Sequence, residues 1–160
     1  MVSSIITQNE KETSDFAKNV LKEALREAGA DRPLIFYLEG ELGAGKTRFV
    51  KGLAEALGIK DNITSPTFVL MKKYEVPKGY RVWGIGYRSF YHIDCYRIYD
   101  AKDARQIGLD KILENPRAIV AIEWAERIEE IIPRPYWKIR FEHVGEGKRR
   151  ISIKYQVSGI

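Results

Sequence analysis

The sequence predicts an α/β domain: a central, partly parallel sheet between helical layers, extended at its end by an antiparallel hairpin. Three observations predict it. Apolar runs at Leu34–Leu38 and Ala118–Ile122 are short and unbroken, as in strands covered on both faces of a parallel sheet. Segments of helical period separate the strand-like ones. Finally, Tyr136–Val144 and Arg149–Val157 alternate apolar and polar residues around the turn "GEGK".

Taken in order, Asn9–Ala30 reads as a helix. Asn9 and Glu12 resemble a capping box, and Phe16, Val20, Leu21, Ala24 and Leu25 form one apolar stripe. The "AGADRP" that follows ends it. After the strand "LIFYL" comes a glycine-rich octet, then Phe49, Val50, Leu53 and Leu57 at helical spacing, with Gly58 where a helix stops. "TFVLMKKY" and "SFYHIDCYRI" are strand-like, and "EVPKGYRVWGIGYR" between them reads as a loop or irregular hairpin. "ARQIGLDKILEN" suits a short helix pair or a helix and turn. "AIVAIEW" is a further buried strand, followed by a helix "AERIEEII" that Pro133 stops.

At 160 residues and 18.4 kDa the chain fits one domain, residues 1–160. With 44% hydrophobic and 31% charged residues it is an ordinary globular composition, which excludes a disordered chain. The net charge of +5 permits an anionic partner without requiring one, since charges of both signs are interspersed. A lone Cys95 excludes an intrachain disulfide framework. No apolar run is long enough to span a bilayer, and the N-terminus lacks a signal pattern, so the expectation is a cytoplasmic protein.

The octet "GELGAGKT", comprising Gly40, Glu41, Leu42, Gly43, Ala44, Gly45, Lys46 and Thr47, matches G-x-x-x-x-G-K-[ST] in full. Glycines let the backbone turn tightly and aim successive N–H groups inward, where they cradle phosphate oxygens. The helix that follows offers its unpaired amides and positive dipole end to the same anion. Lys46 is placed to reach β- and γ-phosphates, and the Thr47 hydroxyl to ligate Mg2+. The bland alternative, a glycine-rich turn matching by chance, lacks a reason for the strand before it and the helix after it. The fold class is therefore a P-loop NTPase-like, three-layer α/β domain.

Such a site needs an acidic residue on a neighbouring strand. Two apolar runs end in one: "FYHID" at Asp94 and "AIVAIE" at Glu123, both where a strand emerges at the carboxyl edge of the sheet. One acid can touch the metal while the other acts through water, and spacing does not divide those roles. "TSPTF" supplies Thr64, Ser65 and Thr67 after the P-loop helix. It is a γ-phosphate-sensing switch or simply a proline turn opening a strand.

Together these residues resemble the TsaE (YjeE) family, the small bacterial P-loop ATPases needed to make threonylcarbamoyladenosine in tRNA. The resemblance rests on "LEGELGAGKTRFVKGLAEALGI", "SPTFVLMKKYE", "YHIDCYRI", "IGLDKIL" and "AIEWAE", in that order, and covers nearly the whole chain. It implies binding of ATP with Mg2+ and membership of the assembly in which TsaD and TsaB transfer the threonylcarbamoyl group to adenosine beside the anticodon. Hydrolysis would be slow alone, stimulated by those partners, and would reset the complex; tRNA is met through the complex, and the chain alone is expected as a monomer. Carried over, Lys46 contacts phosphates, Thr47 and Glu123 ligate the metal, Asp94 orients the attacking water, and Thr67 belongs to the switch. The cofactor-binding stretch runs from Gly40 through Lys46 and Thr47 to Arg48, which stands where the family commonly has a small hydroxyl residue. The link from Pro77 to Arg88 is longer than the family's usual one.

Other features read as structural. His92 and His143 lack metal-ligand spacing and read as core or surface histidines. Cys95 reads as a small buried hydrophobe in a strand. Trp124 is either a cover for the site or a core aromatic. Tyr80, Trp83 and Tyr87, interleaved with basic residues, offer a stacking surface for tRNA or a hairpin packed on the domain; we read the second. A small-molecule or nucleotide kinase is the alternative function, although the 77–88 link is its sole lid candidate. A GTPase is disfavoured because no N-K-x-D motif is present.

Overall fold

The fold is that of a computed structural model, and the residues described are 2–64, 70–80 and 86–157. Among these, seven strands form one sheet: β1 (Val2–Thr7), β2 (Leu34–Gly40), β3 (Met71–Glu75), β4 (Ser89–Asp94), β5 (Ala118–Glu123), β6 (Tyr136–Gly145) and β7 (Lys148–Gln156). Their spatial order is β1-β7-β6-β2-β5-β4-β3. β2 runs parallel to β5 and β6, and β4 runs parallel to β5. The outer pairings β3–β4, β6–β7 and β1–β7 are antiparallel. The expected mixed sheet with its closing hairpin is the one observed.

Helices cover both faces, which is why β5 is buried at every position and β2 over its first five residues. On one side lie α1 (Glu10–Glu27) and α2 (Lys46–Ala56), whose Val20, Leu21, Phe49 and Leu53 pack on Leu34, Phe36, Leu38, Ile119 and Ala121. On the other lie α3 (Ala101–Gln106), α4 (Leu109–Ile112) and a 3-10 segment (Ala125–Ile131). Their Ala104, Leu109 and Ile128 meet Ile35, Tyr37, Val120 and Ile122. This alternation along β2 and β5 is the period of the pleat.

Local signals set the ends of α1 and α2. Asn9 Oδ1 accepts from the Glu12 amide at 2.9 Å, while the Glu12 carboxylate reaches back to the Gln8 amide at 2.6 Å. Gly58 lies just past α2 with φ +76°. α1 and α2 cross at Gly52, where an added Cβ would lie 2.6 Å from the Ser14 carbonyl oxygen and 2.7 Å from Ala17 Cβ. Gly52→Ala is therefore expected to lower stability by about 2 kcal/mol, overpacking outweighing the better helix propensity of alanine. An unchanged urea midpoint would show that the helices part freely.

Three expectations are revised. The strand predicted over 89–98 ends at Asp94, because the Asp94 carboxylate accepts from the Tyr96 amide at 2.9 Å and folds the chain into a turn. Cys95 is buried as expected, but just beyond the strand, where burial pushes its thiol pKa up to about 12. The helix expected at 125–132 is a 3-10 segment broken at Ile128. β1 was not anticipated: it is an edge strand whose Ile5 and Ile6 are both exposed, so its sequence carries no buried alternation. Tyr87 is buried, as read; Trp83 and the predicted switch residues Ser65 to Phe68, Thr67 included, lie outside the described residues.

Candidate nucleotide site

The site begins where β2 ends. Gly40 has φ +147°, and a Cβ there would meet the Phe141 carbonyl oxygen of β6 at 2.6 Å, so only glycine fits this close approach. Gly45 caps α2 in the left-handed region and leaves no side chain over the helix end. The first-turn amides of Lys46, Thr47 and Arg48 thus face outward without an intrahelical partner. They open into a cavity of about 720 Å³ lined by Leu42 to Arg48, Lys51, Asp94, Glu123 and Trp124. Gly40 and Glu41 sit behind it, at the foot of the loop, in a neighbouring hollow beside Arg140 and His143.

Period-two alternation then brings the acids to this end. Phe90, His92 and Asp94 share one face of β4, as Ile119, Ala121 and Glu123 share one face of β5. Phe90, Ile119 and Ala121 lie in the core under α1 and α2. Both acids and His92 therefore rise on the side of the P-loop helix. Asp94 and Glu123 are paired in register at the carboxyl edge, and both are nearly buried.

The contacts tie these pieces together. Thr47 Oγ1 donates to the Glu123 carboxylate, 3.0 Å from Oε1 and 3.2 Å from Oε2. Lys46, 5% exposed, donates from Nζ to the carbonyls of Gly40 and Glu41, and its ammonium lies 4.3 Å from the centroid of the Trp124 ring. Burial draws the Lys46 pKa below its ordinary value, opposed by the negative charges of Glu123, Glu126, Asp94 and Glu41.

Both readings of Trp124 hold in part: it is half-buried and lines the cavity. Its backbone is left-handed, φ +56°, the one non-glycine residue so placed among those described. Tyr96 packs against its ring at 5.1 Å, and the Arg127 guanidinium lies over both. Arg48 is drawn toward Glu10 on α1, 4.0 Å between charged groups.

Three contributions escaped the sequence reading. His92, fully buried, hydrogen-bonds Glu123 Oε2 through Nε2; its spacing of two from Asp94 was the available signal. Gln8, Asn9 and Thr13 form an outer wall, and Arg149 faces them from β7 with its Nε 3.7 Å from the position of a Cβ on Gly45. Nothing local marks Arg149, because the pairing Thr7↔Arg149 brings it there.

The donor set suits magnesium. A hydroxyl and a carboxylate are hard oxygen ligands, and Mg2+ is commonly held by one or two such groups plus substrate phosphates. Among the described residues no three His, Cys, Asp or Glu side chains gather as a protein-only metal cage. Glycine loop, helix amides and lysine fit a polyphosphate in the same way.

A strand, glycine loop and helix at the carboxyl edge of a parallel sheet, with hydroxyl and carboxylate meeting beside them, define a P-loop nucleotide-binding protein. Comparison with known proteins narrows the class. The family model described as "Threonylcarbamoyl adenosine biosynthesis protein TsaE" matches residues 7–151, and the chain belongs to this family of P-loop ATPases. It is 36% identical over 147 residues to the tRNA threonylcarbamoyladenosine biosynthesis protein TsaE of Bacillus subtilis (strain 168), covering 92% of this chain and 82% of that one. The protein of the same name from Treponema pallidum (strain Nichols) is 36% identical over 119 residues, covering 74% of this chain and 80% of that one. A crystal structure of YdiB from B. subtilis aligns with a TM-score of 0.72 at 30% identity, covering 98% of this chain and 86% of that one. No helix among the described residues is long and apolar enough to cross a membrane.

Proposed function

We propose that this chain is the Mg-ATP-dependent ATPase subunit that works with TsaD and TsaB in forming threonylcarbamoyladenosine beside the tRNA anticodon. Its hydrolysis of ATP to ADP and phosphate is slow alone, is stimulated by those partners, and resets the complex rather than transferring the group. The chain acts as one cytoplasmic domain, monomeric by itself, and meets tRNA through its partners. The observation that carries this reading is the Thr47–Glu123 contact beside the P-loop, within a chain of the TsaE family.

Residues Gly40 to Arg48 bind the phosphate chain, with amides along the loop and the Lys46 ammonium at the β- and γ-positions. Thr47 and Glu123 would hold Mg2+, which would supply charge neutralisation to the phosphate chain. Asp94 orients the attacking water at the carboxyl edge, and Thr67 supplies the switch hydroxyl. Arg149 adds a positive charge from the hairpin side. Arg149→Ala is expected to weaken ATP binding about fivefold, near 1 kcal/mol, without changing the melting temperature. Calorimetric titration checks it.

The test of the whole reading is co-purification with TsaD and TsaB, followed by an ATPase assay on the mixture. Stable association with stimulated hydrolysis supports it. No association, together with phosphate transfer to a nucleoside or sugar, would make the protein a kinase instead.

A further inference from the structure

We infer that His92 is a positioning residue for Glu123, fixing the rotation of its carboxylate so that it stays turned toward Thr47 and the metal position. The inference rests on the proposal that Glu123 is a ligand of magnesium.

The placement follows from register. His92 on β4 is paired with Ala121 on β5, so Glu123 is its diagonal neighbour, one pleat nearer the carboxyl edge. The small side chain of Ala121 leaves room for the imidazole to lean across. The ring is fully buried, and Nε2 contacts Glu123 Oε2. Nδ1 has no hydrogen-bond partner among the described residues.

The chemistry fixes the direction of the bond. An ionised carboxylate only accepts, so the proton lies on Nε2 and His92 donates. Oε2 is then held by His92. Thr47 Oγ1 lies 3.0 Å from Oε1 and 3.2 Å from Oε2, so the bond from His92 to Oε2 sets the rotation of the whole carboxylate and keeps both oxygens turned toward that hydroxyl. Such outer groups restrict the rotation of a ligating carboxylate, and their removal typically costs 10–100-fold in metal affinity. His92 would thus act on magnesium through Glu123 without touching nucleotide.

The experiment measures ADP and ATP binding as a function of Mg2+ concentration for the unmodified protein and for His92→Leu, His92→Gln and His92→Asn. Without metal, nucleotide affinity should be unchanged in all three. His92→Leu should raise the half-saturating Mg2+ concentration about tenfold. His92→Gln should restore most of it, because its amide nitrogen corresponds to Nε2. His92→Asn, whose amide stops at the Nδ1 position, should not. If His92→Leu does not fold, the Gln-against-Asn comparison decides. Equal magnesium dependence for Gln and Asn, or an unmodified value in Leu, overturns the inference. Glu123→Ala in the same titration separates the two claims. If it shifts the magnesium curve while the His92 variants do not, only the role of His92 falls; if it shifts nothing, Glu123 leaves the metal site as well.

Discussion

Lys46→Ala is expected to abolish tight ATP binding, by about 100-fold or more, roughly 3 kcal/mol. Two losses coincide. The ammonium that would meet the β- and γ-phosphates is gone, and with it the main charge compensation in a site where burial magnifies every charge. The same group holds the loop from within, donating to the carbonyls of Gly40 and Glu41. Alanine leaves both carbonyls without that donor, so the loop's shape is less well defined before nucleotide arrives. Titration calorimetry with ATP and Mg2+ checks the prediction, and normal affinity in the variant would reject the P-loop assignment. The fold itself should survive, because the side chain packs on Trp124 at the rim of the cavity and not in either hydrophobic core.

Glu123→Ala should cut magnesium-dependent turnover by about two orders of magnitude while leaving secondary structure intact. The carboxylate accepts from Thr47 and contacts His92, so its loss strands the buried imidazole at a cost of about 1–3 kcal/mol, while the half-buried Thr47 hydroxyl can turn to the cavity. Glu123→Gln separates the effects: it keeps the side-chain shape and removes the charge. Turnover should fall in both variants, with the melting temperature lowered chiefly in Ala. Unchanged turnover at limiting magnesium would take Glu123 out of the site.

What the sequence disclosed follows the range of the interactions. Strand, glycine loop and helix at Leu34–Ala56 are contiguous, so apolar run, Gly40, Gly43, Gly45 and the helical period signal them locally. Asp94 and Glu123 were legible because each ends an apolar run, and position along a parallel strand implies the edge where it emerges. Their closeness to each other was not, since that needs β4 beside β5 in a particular register. His92 illustrates the gap. Its residue type suggested a core histidine, and it is buried as such, but the carboxylate it meets lies 31 residues onward. Trp124 adopts a left-handed backbone that nothing in its side chain announces. β1 was hidden because exposed edge residues obey no burial pattern, and the place of Arg149 because the pairing that brings it to the site joins segments far apart in the chain.

That pairing bears on the order of events during biosynthesis. A ribosome-bound chain has its glycine loop long before the strand beginning at Lys148 has emerged, and until then Val2–Thr7 has no strand to pair with among those described. The glycine loop and the α1 wall with Asn9 and Thr13 therefore precede, in order of emergence, the strand that brings Arg149 to the cavity. Full-strength capture of nucleotide should be among the last properties the nascent polypeptide acquires.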